Sequence, residues 1–586
     1  MVASTASGIG IGNLLGGTLL VNSVTSPAGT STGVGINQFN FNGGLLKAGT
    51  AANATFFPAI AAGAAPGSGV FVRSGGANID TSGQNLNIAA ALLAPAGGEV
   101  TGITVTGADT AGTFITAPYV KIVGGNNDAT AIAKINADGS LDSLIVTNPG
   151  SGYASAPTVT LVGGTVAGGT NITTGTATAT VGTSTSGGLT KSGTGYLTVS
   201  GNNTYSGVTT ISAGSITLNS PTPNPNTSYV VSSGAQMYGG WAVTGATFPN
   251  SISIAGTGFA EGIVNVGALR PSNNQTFSGT ITLTAASQIG MIETTAACTF
   301  SGQITGNFAL NIQGAFNGSS GTHTYTLANT GTASNYTGNT SISAVDYAVV
   351  TGAKTIVRLG ASDQIPNGTG NGNLVFNGAN ADHQTILELN GFNETINGLS
   401  NTAATGAIIR NTTTGASILT IGDADATSSF SGVIADGGSG KTLGISKIGS
   451  GTLTLSGLNT YIGATTVNAG TLSLVGGSQA SQITVAAGAS LAFTLNSSVS
   501  SSSTFNLTNG TIKIIGTPTL SSYTLISSSA GITGTPTLET PIPGYALQVS
   551  GNSLNLIQAG YDSWAAAKGL TGAPGFEAGK GADPDG

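Results

Sequence analysis

One long stretch of sequence occurs twice in this chain of 586 residues, and the two copies align without a gap. Residues 191–218 read KSGTGYLTVSGNNTYSGVTTISAGSITL and residues 447–474 read KIGSGTLTLSGLNTYIGATTVNAGTLSL, so that 16 positions are identical. Internal repetition at a short period is typical of folds that stack one small unit on the next. Each unit has too little apolar surface to fold alone, and therefore needs its neighbours.

The repeat predicts short strands. Leu453 and Leu455 alternate with threonine and serine, which indicates a strand with one buried face. Glycine and asparagine then precede the next apolar pair, Leu472 and Leu474, as turn residues do. Because the interval from Leu453 to Leu472 is the length of one such unit, we predict an all-β solenoid of parallel strands with about 20–22 residues per coil.

Composition agrees with strands and excludes several functions. Only 6% of the residues are charged, where a typical soluble domain has about 25%. The 94 glycines favour turns over helices. A net charge of −7 without a basic cluster argues against nucleic acid as a partner. The longest apolar run, residues 88–94, is too short for a membrane span of roughly 20 residues.

Two weaker repeats accompany the long one. An aromatic residue, any residue and a glycine recur along the chain, among other places with the aromatic at Tyr205, Phe277, Phe300, Tyr336, Phe430 and Tyr461. We interpret these aromatics as structural side chains that cover the corner of a coil, rather than as rings that stack on sugars. A different unit reads APYVKIVGG at 117–125 and APTVTLVGG at 156–164, and the interval between its copies predicts two coils.

The string GSGTLTLSGLNTYIGATTVNAGTLSL, at 449–474, resembles the autotransporter-associated β-strand repeat, also called the passenger-associated transport repeat. Residues 390–400 and 419–434 precede it in the order that such passengers show. Residues 561–586 resemble the tail of large surface proteins from Verrucomicrobia-like bacteria. The resemblance implies a right-handed parallel β-helix that is exported to the cell surface. It further implies a non-enzymatic passenger in adhesion, a surface coat or extracellular matrix.

The chain is predicted to have five segments: an N-terminal β-helix segment (1–100), a β-rich region with two GSGY/APTV-type units (101–186), the passenger-repeat β-helix (187–480), C-terminal β-helix coils (481–560), and a truncated tail before a sorting or calcium-loop segment (561–586). The first basic residue is Lys47, so the basic start of a signal peptide is missing. We expect a chain incomplete at both ends, from an extracellular or outer-membrane surface protein.

ADGGSGKT, at 435–442, fits a loose phosphate-loop pattern. A phosphate loop needs a helix after it, whose N-terminus binds the phosphates. The alternating, glycine-rich LGISKIGSGTLTL follows instead. We therefore predict a turn between coils with Lys441 solvated, and no nucleotide site.

Acidic residues are densest at Asp423 and Asp425, with Asp436 shortly after them. Calcium sites and glycan-cleaving enzymes both need converging carboxylates. We interpret these residues as solvated turns, because such an enzyme also needs basic residues on the same face. The four arginines are scattered along the sequence, at Arg73, Arg270, Arg358 and Arg410. We predict no enzyme; the alternative is a β-helix enzyme acting on polysaccharide or a carbohydrate-binding surface protein.

The other candidate residues are interpreted structurally. His323 and His383 stand alone, which predicts surface or turn histidines, and the single cysteine, Cys298, is expected to be buried. Trp241 and Trp564 are further candidates for stacking on sugars, and the prolines of SPTPNPN at 220–226 predict a loop that leaves the solenoid. Asp583 and Asp585 would begin a calcium loop, but too few ligands follow.

No catalytic, cofactor-binding or metal residue is assigned, and no cofactor is expected. The expected partners are extracellular glycans or other surface proteins, with membrane association only through segments outside this chain.

Overall fold

The computed structural model describes residues 10–24, 37–51, 55–59, 68–106, 114–164, 176–241, 243–262, 264–292, 295–316, 320–346, 351–378, 380, 382–403 and 405–560. Regular structure in these residues is β throughout, apart from a 3-10 turn at Asp423–Asp425. The chain divides into two compact units, Met1–Ala260 with Ala268–Gly279, and Glu261–Gly267 with Thr280–Gly586.

The strands up to residue 279 are β1 (Gly10–Leu14), β2 (Thr18–Val21), β3 (Asn37–Phe41), β4 (Leu45–Ala48), β5 (Gly69–Val72), β6 (Ala77–Asp80), β7 (Leu86–Ile88), β8 (Leu92–Leu93), β9 (Gly98–Thr106), β10 (Tyr119–Val123), β11 (Thr130–Ile135), β12 (Leu141–Asn148), β13 (Thr158–Val162), β14 (Thr176–Thr183), β15 (Leu189–Ser192), β16 (Tyr196–Val199), β17 (Thr209–Ile211), β18 (Gly214–Leu218), β19 (Tyr229–Val231), β20 (Ala235–Tyr238), β21 (Thr247–Phe248), β22 (Ile252–Gly256), β23 (Ala260–Glu261), β24 (Val264–Asn265), β25 (Leu269–Arg270) and β26 (Gln275–Phe277).

The strands after residue 279 are β27 (Ile281–Met291), β28 (Thr295–Phe300), β29 (Ile304–Thr305), β30 (Leu310–Phe316), β31 (Thr322–Leu327), β32 (Thr340–Asp346), β33 (Ala353–Leu359), β34 (Leu374–Asn377), β35 (His383–Glu388), β36 (Glu394–Ile396), β37 (Leu399–Asn401), β38 (Ala407–Asn411), β39 (Gly415–Ile421), β40 (Ser428–Phe430), β41 (Val433–Asp436), β42 (Lys441–Lys447), β43 (Thr452–Leu455), β44 (Thr465–Val467), β45 (Thr471–Leu474), β46 (Gly477–Gln479), β47 (Ile483–Val485), β48 (Ser490–Thr494), β49 (Val499–Ser501), β50 (Phe505–Asn506), β51 (Thr511–Ile515), β52 (Ser522–Ser528), β53 (Ile532–Thr533), β54 (Thr537–Leu538), β55 (Tyr545–Ser550) and β56 (Ser553–Gln558).

In the first unit, most strands pair in parallel with a strand one coil later. The main ladders are β1–β3–β5–β8, β2–β4–β6–β15–β17–β19–β22 and β7–β16–β18–β20–β25. Leu197 lies opposite Ile216, its counterpart one coil later, and both side chains are buried. These ladders are consistent with the parallel β-helix that the repeat predicts.

Strands β9 to β14 depart from this pattern and form a closed antiparallel barrel in the order β10–β11–β12–β9–β14–β13. The barrel has its own core, to which Val120, Ile122, Leu144, Val159 and Leu161 contribute. It is an insertion, because β15 pairs with β6 and β16 with β7. The coil before the barrel therefore stacks directly on the coil after it.

The prediction that APYVKIVGG and APTVTLVGG mark two coils is wrong. The two segments contain β10 and β13, which pair antiparallel, with Tyr119 opposite Val162 and Val123 opposite Thr158. The hairpin β11–β12 lies between them in the sequence. The two similar segments are therefore neighbouring strands of the barrel. Alternation of apolar and polar residues does not distinguish antiparallel barrel strands from parallel coil strands.

The second unit has parallel ladders of the same kind, among them β28–β31–β33–β35–β38–β41, β36–β39–β42–β44–β47–β50–β53 and β40–β43–β45–β48–β51–β54. Leu453 lies opposite Leu472, as predicted. The uniform coil length is wrong elsewhere, since the coil that brings His323 opposite Thr355 is much longer. One further ladder, β46–β49–β52, ends on the antiparallel hairpin β55–β56, which covers the edge of β52.

The six repeated aromatics are structural, as predicted, because each is buried with at most 2% of its surface exposed. Each tyrosine is followed four residues later by a threonine whose hydroxyl it contacts, and the distances are 2.7 Å at Tyr205–Thr209, 2.7 Å at Tyr336–Thr340 and 2.8 Å at Tyr461–Thr465. Each phenylalanine is followed at the same spacing by a buried isoleucine, at Ile281, Ile304 and Ile434. Each of these six corners therefore holds either a hydrogen-bonded tyrosine–threonine pair or an apolar phenylalanine–isoleucine pair.

Replacing Tyr336 with Phe is expected to lower the free energy of unfolding by about 1–2 kcal/mol, because the buried Thr340 hydroxyl loses its partner. The double variant Tyr336→Phe/Thr340→Val should recover most of this loss, since it builds the apolar pair that the chain uses elsewhere. Denaturant unfolding followed by far-UV circular dichroism measures both. Losses that simply add in the double variant would contradict the pairing.

Candidate functional site

Lys191, the first residue of the first long repeat, is fully buried. It lies on β15, opposite Ile211 of the next coil. Its Nζ donates to the carbonyl oxygens of Gly193 at 2.5 Å and Ala213 at 2.8 Å, and to Thr81 Oγ1 at 3.1 Å. Burial lowers the pKa of Lys191 to about 8, and the Asp80 carboxylate opposes this shift. The ammonium thus bonds three successive coils together.

Lys447 repeats this arrangement in the second copy. It is fully buried on β42, and its Nζ donates to the carbonyl oxygens of Ile448 at 2.5 Å, Gly449 at 2.8 Å and Ala469 at 3.2 Å. Burial lowers the pKa of Lys447, and Asp425 opposes the shift. Sequence reasoning missed both lysines, although a shared lysine beginning both copies was a visible signal.

A buried polar network joins the barrel to the coils on which it sits. The Arg73 side chain is 1% exposed; its Nε donates to Asn40 Oδ1 at 2.8 Å and its Nη1 to the Gly150 carbonyl at 2.7 Å. Nη1 lies 3.9 Å from Glu99 Oε2, and Nη2 lies 4.0 Å from Asp128 Oδ2. Arg73 and Asn40 come from coils, whereas Glu99, Asp128 and Gly150 belong to the barrel segment.

The Asp128 carboxylate is fully buried at the centre of this network. It accepts hydrogen bonds from Gln38 Nε2 at 3.0 Å, from Ser151 N at 2.9 Å and from Ser151 Oγ at 2.8 Å. Asn148 Nδ2 donates to Gln38 Oε1 at 3.1 Å. Because each hydrogen bond fixes a direction, the network holds the barrel in one orientation on its own unit.

The arginines are less scattered than predicted. Arg358, Glu388 and Arg410 lie in register on β33, β35 and β38. Arg358 Nε donates to Glu388 Oε2 at 2.8 Å, and Arg410 Nη2 to Glu388 Oε1 at 2.5 Å. The Glu388 side chain is 1% exposed, whereas both guanidinium groups are partly solvated. The ladder is not visible in the sequence, because the loops between its three strands differ in length.

Arg270 makes a separate contact. Its guanidinium carbon lies 4.0 Å from the centroid of the Tyr238 ring.

Replacing Glu388 with Gln is expected to destabilise the second unit by about 1–3 kcal/mol, since two guanidinium groups then face a neutral amide. The matched control is Glu539→Gln, whose carboxylate is 34% exposed and 3.3 Å from Lys513; its loss should stay below about 1 kcal/mol. Thermal unfolding measures both, and equal losses would contradict the buried role of Glu388.

The acidic residues named from the sequence hold turns. Asp425 Oδ1 accepts from Ser450 N at 2.6 Å, and these bonds lower the pKa of Asp425. Asp436 accepts from Leu443 N at 2.7 Å and from Ile462 N at 2.9 Å. Asp423 Oδ1 accepts from the next backbone N–H at 3.0 Å. The carboxylates of Asp423, Asp425 and Asp436 are therefore all bonded to backbone N–H groups.

ADGGSGKT is a turn, as predicted. Strand β41 ends at Asp436, and strand β42 begins at Lys441. The Lys441 backbone N–H donates to the Gly438 carbonyl at 3.1 Å. A strand thus follows the loop where phosphate binding would need a helix N-terminus. Lys441 itself is partly buried rather than fully solvated.

A buried glutamate, like the turn aspartates, accepts hydrogen bonds from backbone N–H groups of a loop. Glu394 is 1% exposed and accepts from the backbone N–H groups of Gln364 at 2.9 Å and Ile365 at 3.1 Å. Burial raises the pKa of Glu394 to about 8. Its carboxyl group therefore anchors a loop and does not face solvent.

The prediction of surface histidines is wrong. His323 is fully buried and His383 is 4% exposed. Both imidazoles stack on Phe316, with centroid distances of 4.7 Å and 6.0 Å. Each takes an inward position of its strand, and isolation in the sequence gave no sign of this. Cys298 is buried, as predicted.

The aromatics proposed for sugar stacking separate into two classes. Tyr205 and Tyr461 are buried and cannot reach a ligand, whereas Trp241 is 74% exposed. Trp564, Asp583 and Asp585 lie outside the described residues. The loop at 220–226 is held by Asn224, whose Nδ2 donates to the Tyr205 carbonyl at 2.8 Å.

Within the described ranges, no group of three or more His, Cys, Asp or Glu side chains could hold a metal ion. No helix in the described part of the chain is long and apolar enough to cross a membrane.

Comparison with known proteins gives one match. Residues 189–218 and 445–474 match the family model of the passenger-associated-transport-repeat. No curated protein and no solved structure matches, and no relative supports the likeness of the tail to proteins of Verrucomicrobia-like bacteria. The two matched segments contain Lys191 and Lys447. They support the predicted autotransporter passenger repeat.

Proposed function

We propose that this chain is a non-enzymatic passenger, displayed at the bacterial cell surface, in which a right-handed parallel β-helix carries a small barrel as its presented module. The observation that carries this proposal is the direct pairing of β15 with β6 and of β16 with β7 across the inserted barrel. A scaffold whose ladders continue past an insertion can present the inserted module without rearranging. The match of both long repeats to the passenger repeat supports export and display.

The disposition of charged groups supports a structural role over catalysis. Asp425, Asp436 and Glu394 are bonded to backbone N–H groups. Glu388 is enclosed by two arginines. A polysaccharide-cleaving site needs two carboxyl groups that face each other across a substrate. The carboxylates named here are instead bonded to loop N–H groups or to neighbouring arginines.

The mechanism that we propose is mechanical. Parallel ladders and buried lysines fix each coil to the next, and the network around Arg73 fixes the barrel on its coils. A barrel already held in one orientation loses less conformational entropy when it binds a partner. Adhesion, a surface coat and extracellular matrix are the roles that fit such a scaffold, with glycans or other surface proteins as partners.

The test is the location of the barrel on intact cells of the natural host. An antibody raised against residues 98–183 should label unpermeabilised cells, and external proteinase should remove the label. An antibody against a cytoplasmic enzyme provides the control for cell integrity. Labelling that requires permeabilisation would overturn the proposal.

A further inference from the structure

One wall of the barrel exposes a row of apolar side chains. Val162, Tyr119, Ile132 and Ile145 lie directly opposite one another on the adjacent strands β13, β10, β11 and β12. Their exposed fractions are 47%, 68%, 55% and 45%. With strands about 4.8 Å apart, the row extends over roughly 15 Å.

A polar row runs beside the apolar row, two residues along each strand. Its members are Thr160, Lys121, Thr130 and Thr147. Lys121 lies opposite Thr160, and the hydroxyls of Thr130 and Thr147 are 2.8 Å apart. Two residues along a strand correspond to about 6.8 Å. The wall is therefore a pair of parallel rows, one of hydrocarbon with a central tyrosine and one of hydroxyls with an ammonium.

Lys121 is the one charged side chain in these two rows. Lys121 is exposed, and no carboxylate in the described part of the chain forms an ion pair with it. Neither row contains an acidic side chain. The other exposed lysine of the barrel, Lys134, is already paired with Asp142 at 2.9 Å. The wall is thus complementary to an anionic partner that brings its own carboxylate to Lys121.

The size of the apolar row argues against a second copy of the chain. A half-exposed aliphatic side chain offers on the order of 50 Å² and the tyrosine on the order of 100 Å². Two such rows pressed together would bury roughly 500–600 Å², whereas a specific protein interface needs about 1,000 Å² or more. A narrow, extended ligand suits the row better than a protein surface.

We infer that this wall binds an acidic polysaccharide, a chain of sugar rings that carry carboxylates. The ring of Tyr119 and its aliphatic neighbours contact the C–H faces of the sugars, the threonine hydroxyls bond sugar hydroxyls, and Lys121 pairs with a carboxylate. This inference names the partner class for the proposed display of the barrel, and rests on that function for its biological setting.

The test measures binding of the full chain to polygalacturonate by isothermal titration, with neutral dextran as the comparison polymer. We expect binding to polygalacturonate that weakens with salt, as screening of the Lys121 pair requires, and much weaker binding to dextran. Tyr119→Ala and Lys121→Gln should each weaken binding at least tenfold. The matched control, Lys513→Gln, removes an exposed lysine outside the barrel and should leave binding unchanged. All three side chains are exposed, so thermal unfolding should confirm that the variants fold.

Several results would overturn the inference: equal binding of dextran, wild-type affinity in Tyr119→Ala, or no binding to either polymer. Self-association that disappears in Tyr119→Ala would assign the wall to a second copy, and binding only to vesicles of anionic lipid would assign it to a membrane. Failure of glycan binding while antibody still labels the barrel on intact cells would overturn this inference alone. A barrel hidden in intact cells would overturn the proposed function, whatever the glycan result.

Discussion

Replacing Arg73 with Met is expected to lower the unfolding free energy of the first unit by about 3–5 kcal/mol, because it leaves buried carboxylates without their cation. Asp128 keeps its hydrogen-bond donors but loses the guanidinium 4.0 Å away, and Glu99 loses the same partner. The loss should fall on the junction between barrel and coils. Denaturant unfolding by far-UV circular dichroism, with limited proteolysis of the native state, measures both.

Two further variants separate the loss of the buried network from the loss of any cation. Lys134→Met removes an exposed cation from the barrel, whose side chain is 63% exposed, and should cost less than about 1 kcal/mol. The double variant Arg73→Met/Asp128→Asn should be more stable than Arg73→Met alone, because no full charge then remains opposite the missing guanidinium at that position. An Arg73→Met protein as stable as Lys134→Met would contradict the role of the network.

The second large effect concerns the buried lysines. Lys191→Met and Lys447→Met are each expected to destabilise the protein by about 2 kcal/mol at pH 7, since carbonyl oxygens lose charged donors and the cost of burying the ammonium offsets only part of that loss. Thermal unfolding of both single variants measures this. If either variant matches the wild type, the ammonium does not bond the coils in that repeat.

The lowered pKa of Lys191 also makes the stability of the protein depend on pH. Its pKa is lowered to about 8 in the folded protein, against about 10.4 in an unfolded chain. Between these values the unfolded state binds more protons, so stability rises with pH. The rise from pH 8 to 9.5 should be at most about 2 kcal/mol. The rise should be smaller in Lys191→Met, where only the lowered pKa of Lys447 still contributes to it. An unchanged slope in that variant would contradict the assignment.

Above about pH 10 the sign reverses, because unfolded tyrosines ionise near that value. Burial raises the pKa of Tyr205 to about 12, so ionisation then favours the unfolded chain. Below about pH 8 the raised pKa of Glu394 has the opposite effect on stability, so measurements of the lysine effect belong between pH 8 and 9.5.

The ladders were predictable where coil length is constant. Leu453 and Leu472 were placed opposite each other from their spacing within the long repeat, and the structure confirms this. The Arg358–Glu388–Arg410 ladder was not predictable, because the two intervals that separate its members differ in length. The barrel was missed for another reason: short alternating strands look alike whether the next partner is parallel or antiparallel.

The polar interior was the other failure of prediction. His323, Lys191 and Lys447 are buried although each residue type is usually exposed or intermediate. These three side chains are buried because each points inward from its strand. A single residue in the sequence does not show which residues its side chain will contact in the fold. The pairing of tyrosine with threonine and of phenylalanine with isoleucine was visible in the sequence, and comparison of the weaker repeats from each aromatic to the fourth residue after it would have found it.

The coil before the barrel stacks directly on the coil after it, and a pair of introduced cysteines can report this contact in solution. Asn87 and Thr198 lie in register on β7 and β16, and both are partly exposed. Neighbouring strands bring Cα atoms within the range that a disulfide spans. Thr217 lies one rung further on, opposite Thr198, and about twice as far from Asn87.

We expect Asn87→Cys/Thr198→Cys to form a disulfide under mild oxidation, which mass spectrometry detects as a linked peptide pair. Asn87→Cys/Thr217→Cys should form none. The native Cys298 is buried and present in both variants. Cross-linking of the second pair, or its absence in the first, would contradict a β-helix that continues past the inserted barrel.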